Sequence, residues 1–215
     1  MCIIFCMTDR YEEATIQTYD NNAAIWAKQH NFDLSNNTFA DALNEFYGLV
    51  VDGASVLEVG CGGGRDAAEL VKHYDYTGTD ASDGMVGAAR TNVPDGTFIK
   101  CNVYDLSELN KKFDAFWAVA VLLHIPKHRI DEAICSIKTV TTKDAIGMIA
   151  IKAGDKEEFE VRDIDGVHEE RLFTYWTNED FAEVFKRNGL DIVSYTFKPV
   201  SQRTNWHIYL TRNKD

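Results

Sequence analysis

In the run Val56-Leu57-Glu58-Val59-Gly60-Cys61-Gly62-Gly63-Gly64-Arg65-Asp66 an apolar stretch gives way to closely spaced glycines. That is the pattern of a buried strand turning directly into a helix. Glycines at such a turn let the backbone approach a ligand with no Cβ in between. The helix that follows offers unpaired N–H groups at its N-terminus. Twenty residues past Gly60, Tyr76-Thr77-Gly78-Thr79-Asp80 reads as a second short strand ending in an acid. A carboxylate at that tip can accept hydrogen bonds from both hydroxyls of a ribose. The chemistry these residues are spaced for is the binding of a nucleoside by a βαβ unit.

The glycine spacing narrows the nucleoside. Dinucleotide folds use G-x-G-x-x-G/A, whose third small residue lets the helix pack closely on the strand beneath a pyrophosphate. Counted from Gly60 and Gly62, that third position is Arg65, which is too large. The arrangement here is E-x-G-x-G-x-G, with Glu58 two residues before the first glycine. It resembles motif I of the class I S-adenosylmethionine (SAM) methyltransferases, whose ligand carries a sulfonium cation and no phosphate. An acid at the strand end is tolerable beside that ligand and would repel a pyrophosphate, which leaves an NAD-dependent oxidoreductase as a distant reading.

The elements that must hold these residues alternate along the chain. Residues 11–28 carry a helical pattern, and Phe39, Leu43, Phe46, Tyr47 and Val50 mark a second amphipathic helix. Strand 55–59, helix 64–73, strand 76–80, helix 83–91 and strand 97–101 follow. Residues 113–120 are apolar on both faces, as a central parallel strand should be. A helix at 127–140 and a strand at 145–152 come next, and then a polar segment, 154–176, which reads as irregular and long enough to be a functional insertion. Thr177 caps a helix with Asp180 at N3, and Gly189 ends it. Strands at 190–198 and 205–212 close the chain as a hairpin. The order predicts an α/β sandwich around a mostly parallel sheet.

With that order laid out, the resemblance extends over residues 15–212. The chain is similar to small stand-alone bacterial class I methyltransferases related to the tellurite-resistance group. The likeness is carried by Tyr19-Asp20-Asn21-Asn22-Ala23, by the glycine turn, by Trp117–Pro126 and by Arg171-Leu172-Phe173-Thr174-Tyr175-Trp176. One departure is Thr142-Lys143-Asp144-Ala145, where family members usually carry a Lys-Pro-Gly-Gly turn. The resemblance implies a Rossmann-like sheet of seven mostly parallel strands flanked by helices, the last strand antiparallel. It also implies a single domain over 1–215, with an N-terminal helical cap at 1–35 and a lid at 154–176. SAM would be the cofactor and S-adenosylhomocysteine (SAH) the product.

By position, the resemblance gives Gly60, Gly62 and Gly64 a close approach to the cofactor, alongside Glu58. It gives Asp80 the ribose hydroxyls, and Ala81 with Met85 the adenine. Asn102 would bond the adenine amino group, with the Val103 N–H on a ring nitrogen, although Asn at a strand end is also a plain turn residue. Ala118 and Val119 would floor the methionine portion. Tyr19 either covers the sulfonium or is a core aromatic at helical spacing. For catalysis His124 is the candidate general base, just beyond the fourth strand, with His168 and His207 weaker; an activated methyl carbon can also react through positioning alone. Asp66 reads as favouring the N-terminus of its helix. Arg171, Phe173, Tyr175 and Trp176, joined by Trp206, form either a closure over substrate or a lid packed on the core.

Composition sets the partners. The 215 residues carry a net charge of −12, against the basic face a nucleic-acid partner wants. Neither an Asn/Asp-Pro-Pro-Tyr motif nor a Pro-Cys nucleophile for base methylation occurs. The leading reading is a small-molecule acceptor, with RNA or protein methylation and a non-catalytic SAM-binding module as alternatives. The five cysteines are scattered, with no CxxC and no spacing for a metal, so a reduced cytoplasmic protein, monomer or homodimer, with no metal and no membrane partner is expected. Met1–Cys6 is too short and uncharged for a signal peptide or a span and reads as a start-site extension ahead of Met7.

Overall fold

Seven strands form one sheet in the order β3-β2-β1-β4-β5-β9-β8. A computed structural model describes residues 3–29, 38–164, 166–201 and 204–214. The strands are β1 (Ser55–Val59), β2 (Asp75–Asp80), β3 (Thr97–Lys100), β4 (Phe113–Val119), β5 (Thr141–Lys152), β8 (Leu190–Pro199) and β9 (Asn205–Asn213). Pairings from β3 through β5 are parallel, while β9 runs antiparallel to both β5 and β8. Short apolar runs and a terminal hairpin predicted this sheet. Its two faces carry separate cores, since alternate residues of β1 and β4 point opposite ways: Val56, Trp117 and Val119 pack with Phe46 on one side, Leu57, Phe116 and Ala118 with Ile134 and Phe181 on the other.

The helices are α1 (Ile3–Gln29), α2 (Ala40–Leu49), α3 (Ala67–Leu70), α4 (Asp83–Asn92), α5 (Ile130–Val140) and α6 (Asn178–Arg187). Ser82 caps α4 and Thr177 caps α6, each side-chain oxygen accepting a backbone N–H three residues on. The helix expected over 64–73 is reduced to the single turn of α3, flanked by non-helical turns. The helical pattern assigned to residues 11–28 begins at Ile3, so part of the supposed extension belongs to α1, while Met1 and Cys2 lie outside the described residues. The departed residues Thr142–Ala145 fall within the first part of β5, where the register against β4 shifts, and Asp144 there adopts φ +64, the left-handed conformation that glycine would take freely and that Asp tolerates.

The segment expected to be irregular is a hairpin, β6 (Glu157–Ile164) with β7 (Val167–Thr174). Glu160 stands opposite Arg171 and Arg162 opposite Glu169, so opposite charges face across the pair. Charges at Glu157, Glu158, Asp163, Glu169 and Glu170 fall on both faces of these strands and blur the apolar–polar alternation. The hairpin is tied to α1 by threonines. The Thr18 hydroxyl donates to the Glu170 carbonyl and accepts the Glu170 N–H, both at 2.9 Å, and Thr15 Oγ1 accepts the Leu172 N–H at 2.9 Å. These bonds satisfy backbone groups on a strand edge that would otherwise be open.

Candidate active site

The strand order reverses between β1 and β4, and in open α/β sheets ligands sit at that switch point, beyond the carboxyl ends of the strands. A cavity of about 430 Å³ lies there, within the usual range for small-molecule sites. Its walls come from the tips of β1, β2, β4 and β5, from α1, and from the β6–β7 hairpin.

At the β1 tip the chain turns through Gly60 at φ +73 and Gly62 at φ +51. A Cβ on Gly60 would stand 2.5 Å from the Val121 side chain, whereas one on Gly62 would meet nothing within 4 Å. Gly60 therefore seals the turn against the loop after β4, and Gly62 leaves open space on the ligand side. The Gly62 N–H donates to Asp80 Oδ2 and the Ser82 N–H to Oδ1, both at 2.9 Å. Each carboxylate oxygen keeps a lone pair for an incoming hydroxyl. Burial pushes the Asp80 carboxyl up, and the backbone donors pull against it. Glu58 is also buried on the cavity wall, held by the Tyr76 hydroxyl, and burial with Asp66 nearby raises its pKa well above the carboxylate range.

Beyond Asp80 the wall continues through Ala81, Met85, Asn102 and Val103. Asn102 Oδ1 accepts the Tyr104 N–H at 3.3 Å and caps the 3₁₀ turn that follows β3, so its turn role is present at the cavity wall. α1 is anchored on this side by Asp20, whose Oδ1 accepts from Ser82 Oγ at 2.6 Å and the Gly84 N–H at 2.9 Å.

Two expected positions lie off the cavity. Ala118 is fully buried in the opposite core, because the alternation of β4 turns it away while Val119 faces the site. Gly64 faces α4, where its Cβ would stand 3.2 Å from Val93 Cγ2 and 3.3 Å from Ala89 Cα, so it serves helix packing. Gly63 takes its place in the lining. Asp66 stands at the N-cap position of α3, the helix end expected of it, without a side-chain cap bond: it accepts from the Trp117 Nε1–H at 2.8 Å and from Arg65.

The opposite end of the cavity is built by residues far apart in sequence. His124 Nδ1 lies 2.7 Å from the Leu172 carbonyl, which can only accept, so Nδ1 carries the proton. Nε2 then accepts from the Tyr19 hydroxyl at 2.8 Å. Burial lowers the His124 pKa to about 3, with Arg171 and Lys152 adding to the effect and the Leu172 bond opposing it. Both ring nitrogens are thus engaged on a neutral ring, and the direct general-base role expected of His124 is blocked while Tyr19 stays in place. Phe173 and Trp206 line this end with Arg171, whose guanidinium lies 4.6 Å from the Trp26 ring centroid and pairs with Glu169 at 2.7 Å. Tyr175 and Trp176 pack behind this wall, Trp176 against Phe181 at 5.2 Å. His168 sits on the hairpin, bonded to Asp163 at 2.9 Å, and His207 bonds Tyr195 at 2.9 Å; neither lines the cavity.

Residues 56–144 match the family model described as a methyltransferase domain. That stretch, which holds the glycine turn and Asp80, is similar to a methyltransferase domain. The whole fold agrees with solved structures of the same architecture. A 1,6-didemethyltoxoflavin N1-methyltransferase from Burkholderia thailandensis, solved with its substrate and SAH, superposes with a TM-score of 0.72 at 17% identity, covering 96% of this chain and 90% of that one. Magnesium protoporphyrin IX methyltransferase from Synechocystis, with bound SAH, gives 0.69 at 14% identity over 94% of this chain and 99% of that one. A TehB-like SAM-dependent methyltransferase from Corynebacterium glutamicum gives 0.63 at 21% identity over 96% and 100%. A comparison with curated protein sequences gives no match.

Two cations in the cavity carry no sequence expectation, Lys152 and Arg162. Lys152 ends the apolar run Ala145–Ile151, and a lone cation closing a central parallel strand is the signal that marks it. Arg162 had no such mark, because it sits in the segment that reads as irregular. Among the described residues no helix is long and apolar enough to cross a membrane, and no cluster of three metal-ligating side chains occurs.

Proposed function

We propose that this protein transfers the methyl group of SAM to a small-molecule acceptor. The observation that carries the reading is Asp80 at the β2 tip, aimed into a cavity at the strand-order reversal, with the Gly62 N–H on one of its oxygens. Asp80 would take the ribose hydroxyls and Gly60, Gly62 and Gly63 the methionine portion. Ala81, Met85, Asn102 and Val103 would flank the adenine. Arg65 stands where the dinucleotide fingerprint needs a small third residue, which disfavours a pyrophosphate there.

Bound SAM supplies a methyl carbon already activated for in-line displacement, so the protein's task is orientation. Tyr19 would present its hydroxyl near the reacting centre, and His124 would hold that hydroxyl in place, acting as a positioning residue. The acceptor is read as small because the cavity is enclosed by α1 and the hairpin, and because the toxoflavin and porphyrin enzymes of like fold act on small molecules. The RNA or protein alternative wants a free basic rim, whereas Arg171 and Arg162 are paired with Glu169 and Glu160.

Calorimetric titration with SAM, SAH and NADH tests the cofactor assignment. Binding of the first two with no heat from NADH is the expected result. Binding of NADH alone, or of none of the three, overturns it.

A further inference from the structure

Lys152 is the last residue of β5, at the cavity end opposite the nucleoside. In the sheet order it stands three strand spacings from Asp80, roughly 14 Å across the strands. Its ammonium lies 3.7 Å from the Phe173 ring centroid and 5.4 Å from that of Tyr175. Among the described residues no carboxylate comes within ion-pair distance of it. The neighbouring cations differ in this respect: Arg171 holds Glu169 at 2.7 Å and Arg162 holds Glu160 at 2.5 Å.

Building on the methyltransferase reading, we propose that the acceptor carries a compact oxyanion, a carboxylate or a phosphoryl group, and that Lys152 receives it. Charge balance is the first argument. SAM brings a sulfonium into the same cavity, so the loaded site would hold two unneutralised cations in partly desolvated space, and an anionic acceptor relieves both. The second argument is the state of the lysine itself. Burial lowers its pKa to about 8; Arg171 and Arg162 push the same way, and Glu160 and Glu158 oppose them without pairing with it. A cation held at such cost gains most from an incoming anion. The third is shape: the Phe173 and Tyr175 rings flank the ammonium, and Tyr19 and Trp206 line the same cavity, which suits an acceptor with an aromatic or other flat body. The methionine carboxylate of the cofactor is the competing partner. With the methionine portion over the glycine turn at β1, Lys152 lies two strands away.

The test uses the full chain saturated with SAH at pH 7, titrated with benzoate, phenylphosphonate and neutral benzamide, and read by calorimetry. One or both anions should bind and benzamide should not; which anion binds separates the carboxylate from the phosphoryl source. Lys152→Met should weaken anion binding tenfold or more, and Lys152→Arg should retain it. SAH affinity should be the same in all three proteins, and anion affinity should fall as pH rises through about 8. Equal binding of benzamide, anion binding unchanged in Lys152→Met, or no anion binding by wild type overturns the proposal. Weaker SAH binding by Lys152→Met also overturns it, by assigning the lysine to the cofactor. Failure of SAH to bind wild type sinks the methyltransferase reading itself and is distinguishable from all of these.

Discussion

The two ends of the cavity are built in opposite ways. The nucleoside end is local. Ser55 through Ser82 span two strands and one helical turn, and the bonds that shape the glycine turn and Asp80 link neighbours in that stretch: Gly62 to Asp80, Ser82 to Asp80, and the Gly60 and Cys61 N–H groups to the Thr79 carbonyl. The acceptor end is assembled from segments far apart in the chain: α1, the loop after β4, the end of β5, the hairpin and β9. Tyr19 meets His124 across 105 positions, His124 meets Leu172 across 48, and Thr15 meets Leu172 across 157. A local turn needs little besides its own residues to hold its shape, whereas the distant contacts exist only while α1 and the hairpin stay docked. The cofactor end should therefore tolerate damage elsewhere, and the acceptor end should be the more easily loosened.

The largest expected effect falls on the local end. Asp80→Ala should weaken SAM binding at least about a hundredfold, since hydrogen bonds to a charged group contribute roughly 1.5–3 kcal/mol each; calorimetry on the folded variant measures it. An unchanged affinity would remove the nucleoside from this end altogether. Gly60→Ala places a Cβ 2.5 Å from Val121 at φ +73 and should cost on the order of 2–3 kcal/mol of stability in denaturant unfolding.

At the distant end the effects should divide differently. Tyr19→Phe should slow methyl transfer on the order of tenfold by loss of orientation, with SAH affinity preserved. A parallel loss of SAH affinity would move Tyr19 to the cofactor end. Thr15→Val and Thr18→Val should each cost about 1 kcal/mol. Hydrogen exchange should speed at the Leu172 and Glu170 amides while those of Gly60 and Cys61 stay protected. Equal acceleration at both ends would erase the distinction between them.

The smallest effect is a pH dependence. His124 is held neutral with a folded pKa of about 3 against an ordinary value of 6.5. Between those values the unfolded chain binds the extra proton, so the stability that His124 contributes is present above pH 6.5 and is lost as pH falls toward 3. A His124→Gln variant should show a flatter decline in melting temperature over that window. An identical slope would mean the ring is not held neutral.

The sequence carried the sheet, because short β-branched and apolar runs alternating with amphipathic helices leave few ways to bury both. It also carried the glycine turn and Asp80, because motif spacing within one βαβ unit fixes geometry directly. Asp20, Tyr19 and His124 were legible as residues but not as partners. Residue 118 shows the limit of counting along a strand: a shift of one position exchanges cavity for core, and Val119, not Ala118, faces the site. What only tertiary structure decided is the acceptor end: that the polar 154–176 segment holds a hairpin, that threonines of α1 hold its edge, that His124 is occupied by Tyr19, and that Lys152 has no carboxylate partner among the described residues. Local spacing encodes contacts a few residues apart, but contacts across more than a hundred residues depend on how the packed elements meet, and no short pattern in the chain records that.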